Sequence, residues 1–154
     1  MIDELKLENQ LCFAVYAFSR EITKIYRPYL EPLGLTYTQY LVMIVLWEKD
    51  GISLKELGSK LNLDSGTLTP LLKKLEMDGN ILRARDKKDE RNLIIHLTEK
   101  GRLMLDEAEA VPNNIACNLP IGLDEIVSLR DKIKTILTEI EKVEKLKATE
   151  SKKP

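Results

Sequence analysis

The stretch SLKELGSKLNLDSGTLTPLLKKLEMDG, Ser53 to Gly79, decides the fold. Ser53 with Glu56 is an S-x-x-E pair that starts a helix over LKELGSKL. Asn62 and Leu63 interrupt that helix. Asp64 or Ser65 can cap a second one, SGTLTPLLKKLEMD, which Gly79 closes. Leu57 and Leu61 of the first helix fall where they can pack on Leu68, Leu71, Leu72 and Leu75 of the second. That leaves Ser65, Thr67, Thr69, Lys73 and Lys74 facing out. Two short helices sharing one apolar face across a sharp break make a helix-turn-helix. Small hydroxyls near the start of its second helix suit entry into a DNA major groove, and the helix dipole favours a nearby phosphate. Lys73 and Lys74 can neutralise backbone charge. Pro70 removes one helical hydrogen bond, so a late start or a bend is expected there.

Downstream, ILRAR and NLIIHL flank the turn DKKDER and read as a β-hairpin. Its basic residues are Arg83, Arg85, Lys87, Lys88 and Arg91, set against Asp86, Asp89 and Glu90. An arginine at such a tip can enter a narrow minor groove, where the potential is most negative. Asp89, two residues before Arg91, could orient it. On its own the turn reads as a solvated charged loop, and the helix-turn-helix directly upstream favours DNA contact.

Upstream, Thr36 and Gln39 form a capping box that opens the helix YTQYLVMIVLWEKD, which stops near Gly51. Before it, Leu7, Leu11, Val15, Phe18, Ile22, Ile25 and Tyr29 recur at helical spacing. Cys12, Tyr16, Ser19, Thr23 and Tyr26 form a second stripe, and Pro28 and Pro32 end the helix. After the hairpin, Thr98 can cap a helix running to about Pro112. PNNIACNLPIG reads as irregular or weakly helical. Ile126, Leu129, Ile133, Ile136, Ile140 and Val143 mark a long amphipathic helix, and the tail KATESKKP is expected to be disordered.

The expected fold is mainly α with a small β-wing: a winged helix-turn-helix whose N- and C-terminal helices form a dimerisation domain. Residues 36–111 would be the DNA-binding domain, 1–35 and 112–147 the dimerisation helices, and 148–154 a disordered tail. The outer helices carry more apolar face than one winged helix can cover, and a symmetric dimer would cover it.

The 154 residues suit one domain with helical extensions, and 44% hydrophobic content is ample for a core. A net charge of −1 makes any nucleic-acid surface local. No apolar run approaches the roughly 18 residues of a membrane span, and the N-terminus does not read as a signal peptide. The two cysteines are far apart and form neither a disulfide framework nor a zinc motif, which points to the cytoplasm. His96 is the single histidine, so no metal site is expected and it reads as a structural or surface residue. No nucleophile elbow, phosphate loop or spaced carboxylate pair appears, and no cofactor is implied. An enzyme reading survives only as a thiol peroxidase using Cys12.

Cys12 has two readings. Free cysteine is usually packing material. With Asn9 as helix cap, however, Cys12 sits in the first turn, where unpaired N–H groups and the dipole favour a thiolate. A thiolate attacks hydroperoxide and becomes a sulfenic acid. Tyr16 lies one turn away on the same face. Tyr26 shares that face but stands 14 residues on, about 21 Å along one helix, so it can reach only the Cys12 of a second, antiparallel chain.

LENQLCFAVYA, LTYTQYLVMIVLWE, LDSGTLTPLLKKLE and DERNLIIHLTEKG together resemble the MarR family of winged-helix repressors, and within it the organic-hydroperoxide sensors. The resemblance covers roughly residues 5 to 147. It implies an obligate homodimer, recognition helices in successive major grooves of an operator, and wing arginines in the minor groove. Pro70 belongs to the sensor branch's motif. The resemblance also implies that Cys12 is the redox-sensing thiol, hydrogen-bonded by partner-subunit tyrosines at the positions of Tyr26 and Tyr37. Organic hydroperoxide would then be the inducer. One-cysteine sensors resolve the sulfenic acid with a small thiol, and two-cysteine sensors use a second cysteine of the partner. Cys117 lies in the matching segment, and a small buried apolar residue is the competing reading of it. The alternative trigger is a small aromatic ligand bound between the dimer helices and the winged helix, with Cys12 structural. A winged helix that docks protein instead of DNA is a third reading.

Overall fold

A computed structural model describes residues 2–86, 89 and 91–150, and Lys87, Lys88 and Glu90 of the expected wing charge lie outside the described residues. Among the described residues seven α-helices and three short strands follow one another: α1 Leu11–Leu30, α2 Tyr37–Glu48, β1 Ile52–Ser53, α3 Leu54–Leu61, α4 Ser65–Met77, β2 Ile81–Arg85, β3 Leu93–Leu97, α5 Glu99–Ala108, α6 Val111–Asn118 and α7 Leu123–Glu150. The chain divides into two compact units, residues 1–115 and 116–154.

The first unit is built around α2. Its helix starts on the expected box: the Thr36 hydroxyl accepts the Gln39 N–H, and the Gln39 side chain accepts the Thr36 N–H at 2.8 Å. Tyr40, Val42, Met43, Val45 and Leu46 are all buried, so α2 is apolar on every side and forms the centre of the core. Leu57 of α3, Leu68, Leu72 and Leu75 of α4, Ile81 of β2 and Ile95 of β3 close around it.

The caps of the helix-turn-helix are as expected in part. The Ser53 hydroxyl accepts the Glu56 N–H at 3.1 Å, but the Glu56 carboxylate turns to Lys49 at 2.8 Å instead of completing a box. Asn62 closes α3 in the left-handed conformation, φ 52°. Asp64, not Ser65, caps α4, and α4 runs unbroken through Pro70. Gly79 at φ 74° ends it, where a side chain would be strained.

The expected hairpin is one strand larger. β1 pairs antiparallel with β3 (Ile52 opposite Ile95), and β3 pairs with β2 (Arg83 opposite Ile95), giving the order β1-β3-β2. Two residues are too few to announce a strand by alternation.

Several boundaries differ from the sequence reading. α1 begins at Leu11 with Gln10 as its cap, because residues 3–9 form two 3-10 turns held by Asn9 and Gln10 side chains donating back to the Asp3 and Lys6 carbonyls. Pro28 lies inside α1, which ends at Leu30. The segment read as irregular contains α6, and the Thr98-capped helix stops earlier, at Ala108. Pro112 is the second residue of α6, where a missing N–H costs nothing.

The second unit is largely α7, which continues to Glu150, three residues into the stretch expected to be disordered. Its Leu129, Ile136, Leu137, Ile140 and Val143 are exposed. In the first unit, Leu11, Phe13, Val15, Tyr16 and Phe18 of α1 are exposed as well, and Leu30 is that helix's buried residue.

Candidate DNA interface and thiol site

The helix start at α4 is tightly specified. Asp64 Oδ1 accepts the Thr67 N–H and Asp64 Oδ2 the Thr67 hydroxyl, both at 2.9 Å. These bonds hold the Asp64 carboxyl below its ordinary range. A Cβ at Gly66 would stand 2.9 Å from Asp64 Oδ1, so glycine there lets the carboxylate fold over the turn. The Thr69 hydroxyl donates to the Ser65 carbonyl at 2.6 Å. Ser65, Thr67 and Lys73 are exposed, and Lys74 leans back to Asp78 at 2.7 Å.

On the wing, Arg83 is committed elsewhere. Its Nε donates to Glu76 Oε2 at 2.8 Å and its N–H to Glu76 Oε1 at 3.1 Å, clamping β2 to the end of α4. The Arg83 guanidinium holds the Glu76 carboxyl below its ordinary value, against a smaller opposing effect of burial. Asp89 does orient Arg91, but through the backbone: its Oδ1 accepts the Arg91 N–H at 3.1 Å and its Oδ2 the Asn92 amide at 3.2 Å. Arg91 is exposed at the tip.

Sequence reading missed the residue that anchors this wing. Asp50, just after α2, accepts the Gly51 and Leu97 N–H groups at 2.8 Å each and pairs with Arg102 of α5. Burial pushes its carboxyl up, but the Leu97, Arg102 and Gly51 donors outweigh that, and the net direction is down. His96 Nδ1 stands 3.8 Å from the same carboxylate. The contacts span 47 and 52 residues, and no local pattern announces them. Trp47 adds a second tie, donating Nε1–H to the Gly101 carbonyl at 2.8 Å.

Cys12 is the second residue of α1 and is exposed. The first helical bond runs from the Ala14 N–H to the Gln10 carbonyl, so the amides ahead of it lack a partner within the helix. Tyr26 lies on the same unbroken helix, about 21 Å away. The structure brings Tyr26 and Tyr37 together, ring centroids 4.8 Å apart, across the α1–α2 junction. Burial raises both phenols above their ordinary value of 10.0, and at Tyr26 the neighbouring Tyr37 and Tyr40 add to it. Both therefore stay protonated hydrogen-bond donors at neutral pH. Tyr16 pairs instead with Arg20, which donates to its hydroxyl at 3.2 Å. Cys117, near the end of α6, is a free and exposed thiol.

Among the described residues no group of three or more His, Cys, Asp or Glu side chains could hold a metal ion. No described helix is long and apolar enough to cross a membrane.

Residues 24–108 match the sequence model of a family described as transcriptional regulator SarA/Rot. An organic hydroperoxide resistance transcriptional regulator of Bacillus subtilis is 45% identical over 135 residues, 88% of this chain and 92% of that protein. Among solved structures, reduced AbfR bound to DNA superposes with a TM-score of 0.73 at 39% identity, over 90% of this chain and 96% of that one. An AbfR structure comes from Staphylococcus epidermidis. AbfR is also known overoxidised on DNA, TM-score 0.73, and with its disulfide formed, TM-score 0.61 over 88% of this chain and 95% of that one.

Proposed function

We propose, from the premise that the chain belongs to the SarA/Rot family of MarR-type winged-helix transcriptional regulators, that Cys12 is the switch by which it leaves DNA. The protein is a redox-sensing, DNA-binding transcriptional repressor. It acts as a homodimer in the cytoplasm on a pseudo-palindromic operator, with organic hydroperoxide as inducer. The observation that carries the reading is the pairing of an exposed first-turn thiol with two adjacent, protonated phenols, Tyr26 held about 21 Å away along the same helix and Tyr37 beside it at the start of α2. An antiparallel second α1 supplies those phenols to the thiol. The exposed apolar faces of α1 and α7 give such a dimer its surface.

The chemistry is short. The Cys12 thiolate attacks the terminal oxygen of ROOH, an S–O bond forms, the O–O bond breaks, and the leaving alkoxide takes a proton to become an alcohol. Tyr26 and Tyr37 of the partner subunit donate to the thiolate and then to the sulfenic oxygen. A Cys117 thiolate of the partner subunit then attacks the sulfenic sulfur; S–S forms, S–O breaks, and the departing hydroxide takes a proton from solvent to become water. AbfR has been captured reduced, overoxidised and as a disulfide, which supports thiol oxidation as the variable.

DNA contact is assigned to α4 in the major groove, with Ser65, Thr67, Thr69, Lys73 and Lys74, and to Arg91 of the wing in the minor groove. The test is a titration of the duplex upstream of its own gene, with and without cumene hydroperoxide. Wild type should bind and be released. Cys12→Ser should bind equally and stay bound. Release of Cys12→Ser by hydroperoxide, or release of wild type by an aromatic carboxylate with all thiols reduced, would overturn the reading.

A further inference from the structure

Two of the three hydroxyls expected to read bases, those of Thr67 and Thr69, are occupied. A threonine hydroxyl has one proton. At Thr67 it goes to Asp64 Oδ2, and at Thr69 to the Ser65 carbonyl. Neither acceptor can donate in return, so the direction of both bonds is fixed. What each threonine has left for an outside partner is a methyl group and oxygen lone pairs.

The rest of the outward face agrees. Counting about 100° per residue from the buried Leu68, Leu72 and Leu75, the opposite side of α4 carries Gly66, Pro70, Lys73, Lys74 and Met77, with Thr67 and Thr69 flanking them. Gly66 and Pro70 are exposed, and Met77 is 82% exposed. Apart from Lys73 and Lys74, the latter leaning to Asp78, the side chains on that outer stripe carry no free hydrogen-bond donor. Guanine offers the groove two acceptors and needs donors to be read. Thymine offers a 5-methyl, which is read by apolar contact.

We propose that Thr67 and Thr69, with the Pro70 ring between them, select operator thymines through their 5-methyl groups. This rests on the assignment of α4 to the major groove. Asp64 is then a positioning residue: it takes the proton that would otherwise let Thr67 act as a donor, and it leaves the methyl facing the bases.

The experiment starts from a randomised duplex library put to selection by the reduced wild-type protein. Each thymine of the selected duplex is then replaced by uracil, which removes the methyl and nothing else. Burying one methyl is worth about four-fold in affinity, and a palindrome carries the contact twice, so a symmetric replacement should cost about fifteen-fold. Binding is measured by fluorescence anisotropy at one fixed salt concentration. At least one symmetric thymine pair should show this loss with wild type and lose it with Thr67→Ser or Thr69→Ser, which keep the hydroxyl and drop the methyl. Thr67→Val, which keeps a methyl and drops the hydroxyl, should retain the uracil penalty. Thermal melting by circular dichroism confirms that each variant is folded. A duplex insensitive to every uracil replacement overturns the inference alone, as does a penalty unchanged in both serine variants, or a penalty abolished in folded Thr67→Val. Failure to select any duplex overturns the DNA-binding assignment and this inference with it.

Discussion

Arg83 and Arg91 carry the same charge eight residues apart, and the structure gives them different work. Arg83 is spent on Glu76, where it fixes β2 to α4. Arg91 is presented outward by a turn that Asp89 braces through backbone and amide bonds. Replacing Arg91 by Ala should weaken operator binding by about 1–3 kcal/mol in an anisotropy titration. Replacing Asp89 should cost less, because it removes the brace and leaves the guanidinium. The Glu76–Arg83 clamp has a pH signature. A carboxyl whose folded value is depressed stabilises the fold above its unfolded value, and the contribution is lost as pH falls through the folded one. Glu76 is depressed from 4.5, so the clamp is complete at neutral pH and fades below that value. The urea midpoint of wild type should fall steeply as pH drops from 5 towards 3, and that of Glu76→Gln should fall less.

At the scale of elements, α5 is seated by close approach. A Cβ on Gly101 would stand 2.1 Å from the Asn80 carbonyl oxygen, which is backbone and cannot turn away. The same residue gives its N–H to the Thr98 cap at 3.0 Å and its carbonyl to Trp47. Thr98 in turn donates its hydroxyl to the Gly79 carbonyl at 2.7 Å. The turn between α4 and β2, the Thr98 cap and Trp47 of α2 therefore all meet α5 at one glycine. Gly101→Ala should destabilise the protein by about 1–3 kcal/mol, read from the denaturant midpoint, while a substitution at the exposed Leu103 of the same helix should not. Asp50 does for β3 what Gly101 does for α5, joining the end of α2 to Leu97 and Arg102 with one carboxylate.

At the scale of the molecule, the question is how oxidation becomes release. Cys117 sits in a short helix bounded by Pro112 at its start and Pro120 after its end. Joining Cys12 to the Cys117 of a second chain requires Cα atoms within about 7 Å, and the segment carrying Cys117 must then follow the bond. Hydroperoxide-treated wild type should run as a covalent dimer on a non-reducing gel, and Cys117→Ser as a monomer. A monomeric wild type bearing a small-thiol adduct on Cys12 would make Cys117 a bystander and leave Cys12 as the sensor. Peroxide consumption should stop near one equivalent per Cys12, because a repressor has no need to recycle. Many turnovers would restore the peroxidase alternative.

The sequence by itself determined whatever depends on neighbours within a turn or two. The capping box at Thr36, the helix starts at Ser53 and Thr98, the two strands of the hairpin and the apolar stripes of α1 and α7 are all read from spacings of three or four residues or from alternation. The resemblance added the roles of Cys12, Tyr26, Tyr37 and Cys117, which spacing alone left open. Only the tertiary structure decided the strand β1, the Asp50 anchor, the Gly101 seat and the withdrawal of Arg83 to Glu76. It also decided that Thr67 and Thr69 spend their hydroxyl protons on the helix start. The reason is common to all of them. A side chain's composition states what it can bond, but a single proton or carboxylate goes to whichever partner the folded backbone brings within about 3 Å.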